Sequence, residues 1–217
     1  MKKKHFLKEQ QKNRILEDSG ISLVSSADLI SVDIQPAYEK VFTFDLYSFM
    51  RYINKTYDDM NSLTFLFNGP DLGYPDENEY KWWLIENGLD ENIVMTANFY
   101  DKGYAFFRYC MDEGIDDDEI VNLIKFMMSN NINDSRDIDE DMWIGFMREY
   151  NYEQSEIRDL LEVANDMINI PELMDFLKKF QGKTVLCGGG INECLKEVEI
   201  ALMALGKNYN ILTKFTY

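Results

Sequence analysis

A chain of 217 residues suits one generous domain, or one domain carrying an insertion, and its 46% hydrophobic and 14% aromatic residues suffice for a sizeable core. A formal net charge of −17 argues against broad attraction to nucleic acid, and no apolar run approaches the roughly 18 residues needed to cross a bilayer. Three cysteines that form no C-x-x-C and a single histidine, His5, argue against a disulfide scaffold and a zinc site.

The basic start, Met1–His5, is followed by no apolar stretch, so no secretory signal is expected and the cytoplasm is the expected compartment. Residues 5–18 read as a polar helix, and residues 1–25 as an N-terminal extension with Ser19–Ser26 as connector. Leu29–Ile34 is a short apolar run carrying Asp33 near its end, the pattern of a buried parallel strand stopped by Pro36. Phe44–Tyr57 places Leu46, Phe49, Met50 and Ile53 at helical spacing behind Asp45. Leu63–Phe67 is a second strand, ended by the turn signal Asn68–Gly73, and Asp76–Asn87 a helix with Trp82, Trp83 and Ile85 available to pack. Ile93–Phe99 is a third strand.

From Tyr104 to Phe180 strand signals nearly vanish. Helices are expected at Ile120–Met128, Asp139–Tyr150, Gln154–Met167 and Glu172–Phe180, with acidic residues before them that suit positive helix N-termini. Strand character returns at Lys183–Cys187, followed by Gly188–Gly190, a helix over Asn192–Leu205, and a closing strand at Asn210–Phe215. Strand, turn and helix alternate at both ends around a helical middle. The expected fold is therefore α/β, a doubly wound and mainly parallel sheet forming one domain over 1–217, with a helical insertion near 108–170. Ligands in such sheets bind beyond the carboxyl ends of the strands, where Asp33, Asn68–Asp71 and Gly188–Cys194 are expected.

The glycine turn is the most informative feature. Gly188, Gly189 and Gly190 between a strand and a helix allow backbone to approach a ligand closely, and the N–H groups of the helix start, from Ile191 on, suit an anion or an oxyanion. Cys194 falls in the first turn of that helix, where the dipole lowers a thiol pKa. No Gly-Lys-Ser/Thr follows, so this is not a P-loop, and Glu193 breaks the dinucleotide fingerprint.

Val185–Leu195, with Ala201, Leu205 and Gly206 behind it, resembles the nucleophile region of isochorismatase-like cysteine hydrolases: a strand ending in Gly, five residues, the Cys, then a helix of small apolar residues. Ile30–Tyr38 is similar to that family's first strand, with Asp33 at the acid, Gln35 after it and Tyr38 at the aromatic pocket residue. Lys102–Phe107 is similar to its lysine segment. The resemblance implies a doubly wound, Rossmann-like sheet and a triad of Cys194 as nucleophile, Asp33 as base and Lys102 as the charge favouring the thiolate, with Tyr38, Gly189, Gly190 and Ile191 lining the substrate. It further implies a small amide or acyl substrate and no metal or cofactor, since the histidine segment of the nicotinamidase branch has no counterpart at Phe67–Asp71. The expected protein is then a divergent cysteine hydrolase, or a catalytically silent relative of one.

Two other classes fit the same loops. Small nucleases of the PIN and NYN kind hold Mg²⁺ with acids after strand ends, a role open to Asp33, Asp71 and Glu193. A non-catalytic module would instead use the acidic helical insertion to dock a protein partner or a second copy of the chain. Asp137–Asp141 begins like a calcium loop, but Met142 and Arg148 stand where that loop needs Gly and Glu, so helix capping is the expected use.

Overall fold

Ala27–Val32 (β1) is buried along its whole length, as an apolar run at the centre of a parallel sheet must be. The computed structural model describes residues 21–68, 77–100, 110–166, 168, 170 and 172–217. The helix read at 5–18, the turn after Asn68 and the Lys102 segment lie outside them. Ser62–Asn68 (β2), Thr96–Tyr100 (β3), Lys183–Gly188 (β4) and Tyr209–Ile211 (β5) complete a five-stranded sheet of order β3-β2-β1-β4-β5. Every pairing is parallel. The chain therefore moves outward from β1 to β2 to β3, then returns to the other side of β1 for β4 and β5. This is a mixed α/β fold with a parallel sheet, as the alternation of strand and helix predicts.

The described residues fall into two compact units. One comprises those within Met1–Tyr100, Phe180–Lys196 and Asn208–Tyr217; the other those within Asp101–Lys179 and Glu197–Lys207. The second contains the helical segment expected near 108–170 and extends past it.

In the sheet unit, the one-turn helix α1 (Ile21–Val24) occupies what reads in the sequence as connector, and Leu23 and Val24 join the core. Helix α2 (Leu46–Thr56) starts where Asp45 accepts the Ser48 N–H at 2.8 Å, which holds the Asp45 carboxyl below the usual carboxylate range. Its Leu46, Phe49, Met50 and Ile53 are buried, and they join Leu29, Phe65, Val185 and Phe215 in one cluster. Burying each such side chain contributes about 2 kcal/mol before entropy opposes it.

Two sequence expectations are corrected here. In helix α3 (Glu77–Glu86) the buried positions are Tyr80 and Leu84, one turn apart; Trp83 packs against the core as expected, but Trp82 is 62% exposed. Tyr80 stacks on Phe67 at 4.1 Å and donates its hydroxyl to Ile34 O at 2.6 Å, which fixes the face that turns inward. The last strand is also shorter than Asn210–Phe215: after Ile211 the chain tightens into a 3₁₀ turn at Thr213–Phe215 and drives Phe215 into the core.

In the helical unit, α4 (Asp117–Ser129), α5 (Glu140–Tyr150), α6 (Arg158–Asp166) and α7 (Glu172–Leu177) occur where helices are expected. Phe146 sits among Phe126, Trp143, Tyr150 and Tyr152 with ring centroids 5.2–5.8 Å away. Asp139 accepts the Met142 N–H at 2.8 Å, so the acidic run Asp137–Asp141 does contain a helix cap. Among the described residues no helix is long and apolar enough to cross a membrane.

Candidate functional site

The register pairs Val32, the last residue of β1, with Gly188, the last of β4. Asp33 and Gly189 consequently leave neighbouring strands side by side at their carboxyl ends. The direction of winding reverses between these two strands, and open parallel sheets bind ligands at that position.

Asp33 is fully buried and has a left-handed backbone, φ +48°. Among non-glycine residues, Asp and Asn tolerate that region best, and strained backbone of this kind gathers at functional sites. Two backbone bonds hold it: its N–H donates to Leu66 O at 2.8 Å, and its carbonyl accepts the Tyr217 hydroxyl at 3.1 Å. The chain then runs through buried Gln35 into a 3₁₀ turn at Pro36–Val41, which presents Tyr38 half-buried.

The opposite wall is the glycine turn. Gly188 and Gly189 are both left-handed, at φ +73° and +58°. A Cβ at Gly188 would run into the carbonyl oxygen of Val32, so the close approach of β4 to β1 requires glycine there. Glu193 folds back over Gly190. Cys194 follows as the first residue of helix α8 (Cys194–Ala204), partly exposed.

The three thiols differ sharply. Cys187 lies inside β4 and Cys110 in the helical unit, both fully buried, and burial pushes each up to about 12. A group that reacts as thiolate gains nothing from such surroundings. Cys194 alone of the three is accessible.

Tyr217, which carries no sequence signal beyond the aromatic pattern Phe215-Thr216-Tyr217, ties these pieces together. Its N–H donates to Gly189 O at 3.1 Å, and its carbonyl oxygen accepts the Ile191 N–H at 3.0 Å. Its ring lies 5.3 Å from Phe42 and 6.5 Å from Tyr38. Burial raises the pKa of its hydroxyl strongly, and the charges of Asp33, Cys194, Tyr38 and Glu193 raise it further. The hydroxyl is therefore a neutral donor at physiological pH. Tyr217 thus bonds both the Asp33 carbonyl and the glycine turn, and its ring lies beside that of Tyr38.

The turn's donors are partly engaged. Ile191 N–H serves Tyr217, while Glu193 N–H and Leu195 N–H both reach Gly190 O, at 2.9 and 3.2 Å. The Ile191 side chain remains 38% exposed. An oxyanion at the Ile191 N–H would therefore have to displace the Tyr217 carbonyl. Among the described residues no group of three or more His, Cys, Asp or Glu side chains is arranged to hold a metal ion. Asp71, like Lys102, lies outside those residues. No protein-family model, no curated protein and no solved structure matches the chain.

Proposed function

We propose that the chain is a divergent cysteine hydrolase of the isochorismatase-like, doubly wound kind, acting on a small amide or acyl substrate. The observation that carries this reading is that β1 and β4 end side by side, with buried Asp33 after one and the glycine turn leading to accessible Cys194 after the other.

In this reading the Cys194 sulfur attacks the substrate carbonyl carbon, and Asp33 takes the thiol proton. The tetrahedral intermediate collapses by expelling the leaving group, which Asp33 protonates. Water then attacks the thioester carbonyl, again deprotonated by Asp33, and the acid product leaves as the thiol is restored. Lys102 supplies the positive charge that favours the thiolate. Tyr38, Gly189, Gly190 and Ile191 border the substrate. Glu193 opposes thiolate formation, which makes a positive partner for Cys194 a requirement of the mechanism.

The test is the rate of iodoacetamide alkylation of each cysteine against pH, located by peptide mass. Cys194 is expected to react first in the native protein, with an apparent pKa below the roughly 8.5 of a free thiol. That advantage should disappear in Lys102→Ala, whereas Asp33→Asn, by removing a neighbouring negative charge, should lower the apparent pKa further. A Cys194 that titrates as an ordinary thiol, unchanged in both variants, would sink the hydrolase reading and leave a binding module on this fold.

A further inference from the structure

A second feature of the sheet unit lies apart from the glycine turn. Helix α2 and the 3₁₀ turn at Thr213–Phe215 form the two walls of an open groove of about 640 Å³. Arg51 and Lys55, at i and i+4 on one face of α2, line one wall, and Lys214 lines the other. The rings of Tyr52 and Phe215, 5.1 Å apart, lie between them.

Three cations converge here in a chain whose acids outnumber its Lys and Arg by 39 to 22. Neither Arg51 nor Lys55 makes an ion pair among the described residues. Like charges one helical turn apart repel, and a carboxylate between them would relieve this. Asp45, which caps the helix through Ser48 N–H, offsets part of the Arg51 charge, but no acid does so for Lys55 among the ion pairs of the described residues. Arg51 donates to Ser48 Oγ at 3.3 Å and sits 5.4 Å from the Tyr47 ring, which steadies its guanidinium without neutralising it. The helix dipole explains a lysine in the last turn, Lys55, but not Arg51, while Lys214 on the facing wall rests over the Phe215 ring at 5.4 Å.

Asn54 braces the rim instead of offering itself to a ligand. Its Nδ2 donates to Gly88 O at 2.8 Å and its Oδ1 accepts the Asp90 N–H at 3.0 Å. The helix bearing the cations is thus tied to the loop that follows α3, so Arg51 and Lys55 stand on a braced wall.

We propose that this groove binds a small organic phosphate carrying at least two negative charges. Guanidinium and ammonium groups from two walls suit phosphate oxygens, and the volume lies in the range of small-molecule sites, about 300–1,000 Å³. The half-buried Tyr52 ring, backed by Phe215, gives the organic part an apolar surface.

The experiment is calorimetric titration of the full chain with inorganic pyrophosphate and with ADP at low salt. Saturable one-to-one binding is expected, weakening as salt rises. Arg51→Gln and Lys55→Gln, both exposed positions whose variants keep the native far-UV circular dichroism, should each weaken it about tenfold, as loss of a charge-assisted contact does. Lys178→Glu, in the helical unit, should leave it unchanged. No saturable binding of either probe would overturn the proposal. So would equal weakening by Lys178→Glu, or indifference to both groove variants.

Discussion

Both units use carboxylates to cap turns and helices, Asp45 in the sheet unit among them, but the sheet unit also holds one of a different kind. In the sheet unit Asp33 is fully buried at a strand end, on a left-handed backbone, with its carbonyl on the Tyr217 hydroxyl. In the helical unit Asp134 and Asp139 sit at turn and helix starts, where each accepts a backbone N–H at 2.8–2.9 Å. A cap satisfies backbone groups that any helix leaves open, and its position is dictated by the helix. A buried acid at a strand end serves no such general need. The contrast explains why most acids of this chain say little about chemistry, while Asp33 stands apart from them.

The comparison breaks if the glycine turn is not what holds the strand ends together. Gly188→Ala combines a left-handed φ with a clash against Val32 O and should cost roughly 3 kcal/mol or more. Urea unfolding would measure the loss, and faster amide exchange in β1 and β4 would locate it. A variant as stable as the parent would mean that the turn relaxes freely.

Within the helical unit the largest polar contribution is expected from Ser135. Its buried hydroxyl donates to Ala164 O at 2.6 Å and accepts the Ile168 N–H at 2.7 Å. Ser135→Ala leaves that N–H buried without its partner and should cost about 2 kcal/mol, read as accelerated exchange at Ile168. Asp139→Ala, which removes only a cap, should cost about 1 kcal/mol in the same measurement. An Asp139 effect larger than that of Ser135 would reverse the ranking of buried over exposed polar groups.

The smallest effect sharpens the contrast through pH. Partial burial raises the Glu119 carboxyl to about 7, and the charges of Asp116, Asp159, Asp118 and Glu156 add to the rise. Between its ordinary value of 4.5 and about 7 the folded protein holds a proton that the unfolded chain has released. Glu119 therefore favours folding on the acid side, and that contribution is lost as pH rises through about 7. Unfolding midpoints for the parent and Glu119→Gln should diverge across this range, the variant holding its stability at the alkaline end. Parallel pH profiles would show that Glu119 titrates normally.

Much of this was legible in the sequence because it depends on local pattern. The uninterrupted apolar run of β1, the three glycines after β4 and the i, i+3, i+4, i+7 spacing of α2 each specify their element without distant help. The inward face of α3 was not legible: with Tyr80, Trp82, Trp83 and Leu84 in a row, periodicity does not choose, and the choice comes from Phe67 and Ile34 O. Tyr217 was missed for the same reason on a larger scale. Its bond to Asp33 joins residues 184 positions apart, which no local rule anticipates. The closing strand was overextended because Leu212 N–H still bonds Leu186 O as a strand would, before Phe215 N–H turns back to Leu212 O.

The left-handed backbone at Asp33 also limits how this position can drift over generations. Only Asn and Gly substitute there without added strain, so a position held by its backbone alone should drift among Asp, Asn and Gly rather than to Ala, Ser or Glu. A position whose carboxylate is itself required should keep Asp even where Asn is one nucleotide change away. The residues found at this one position in related chains would therefore separate what the backbone demands from what a carboxylate demands.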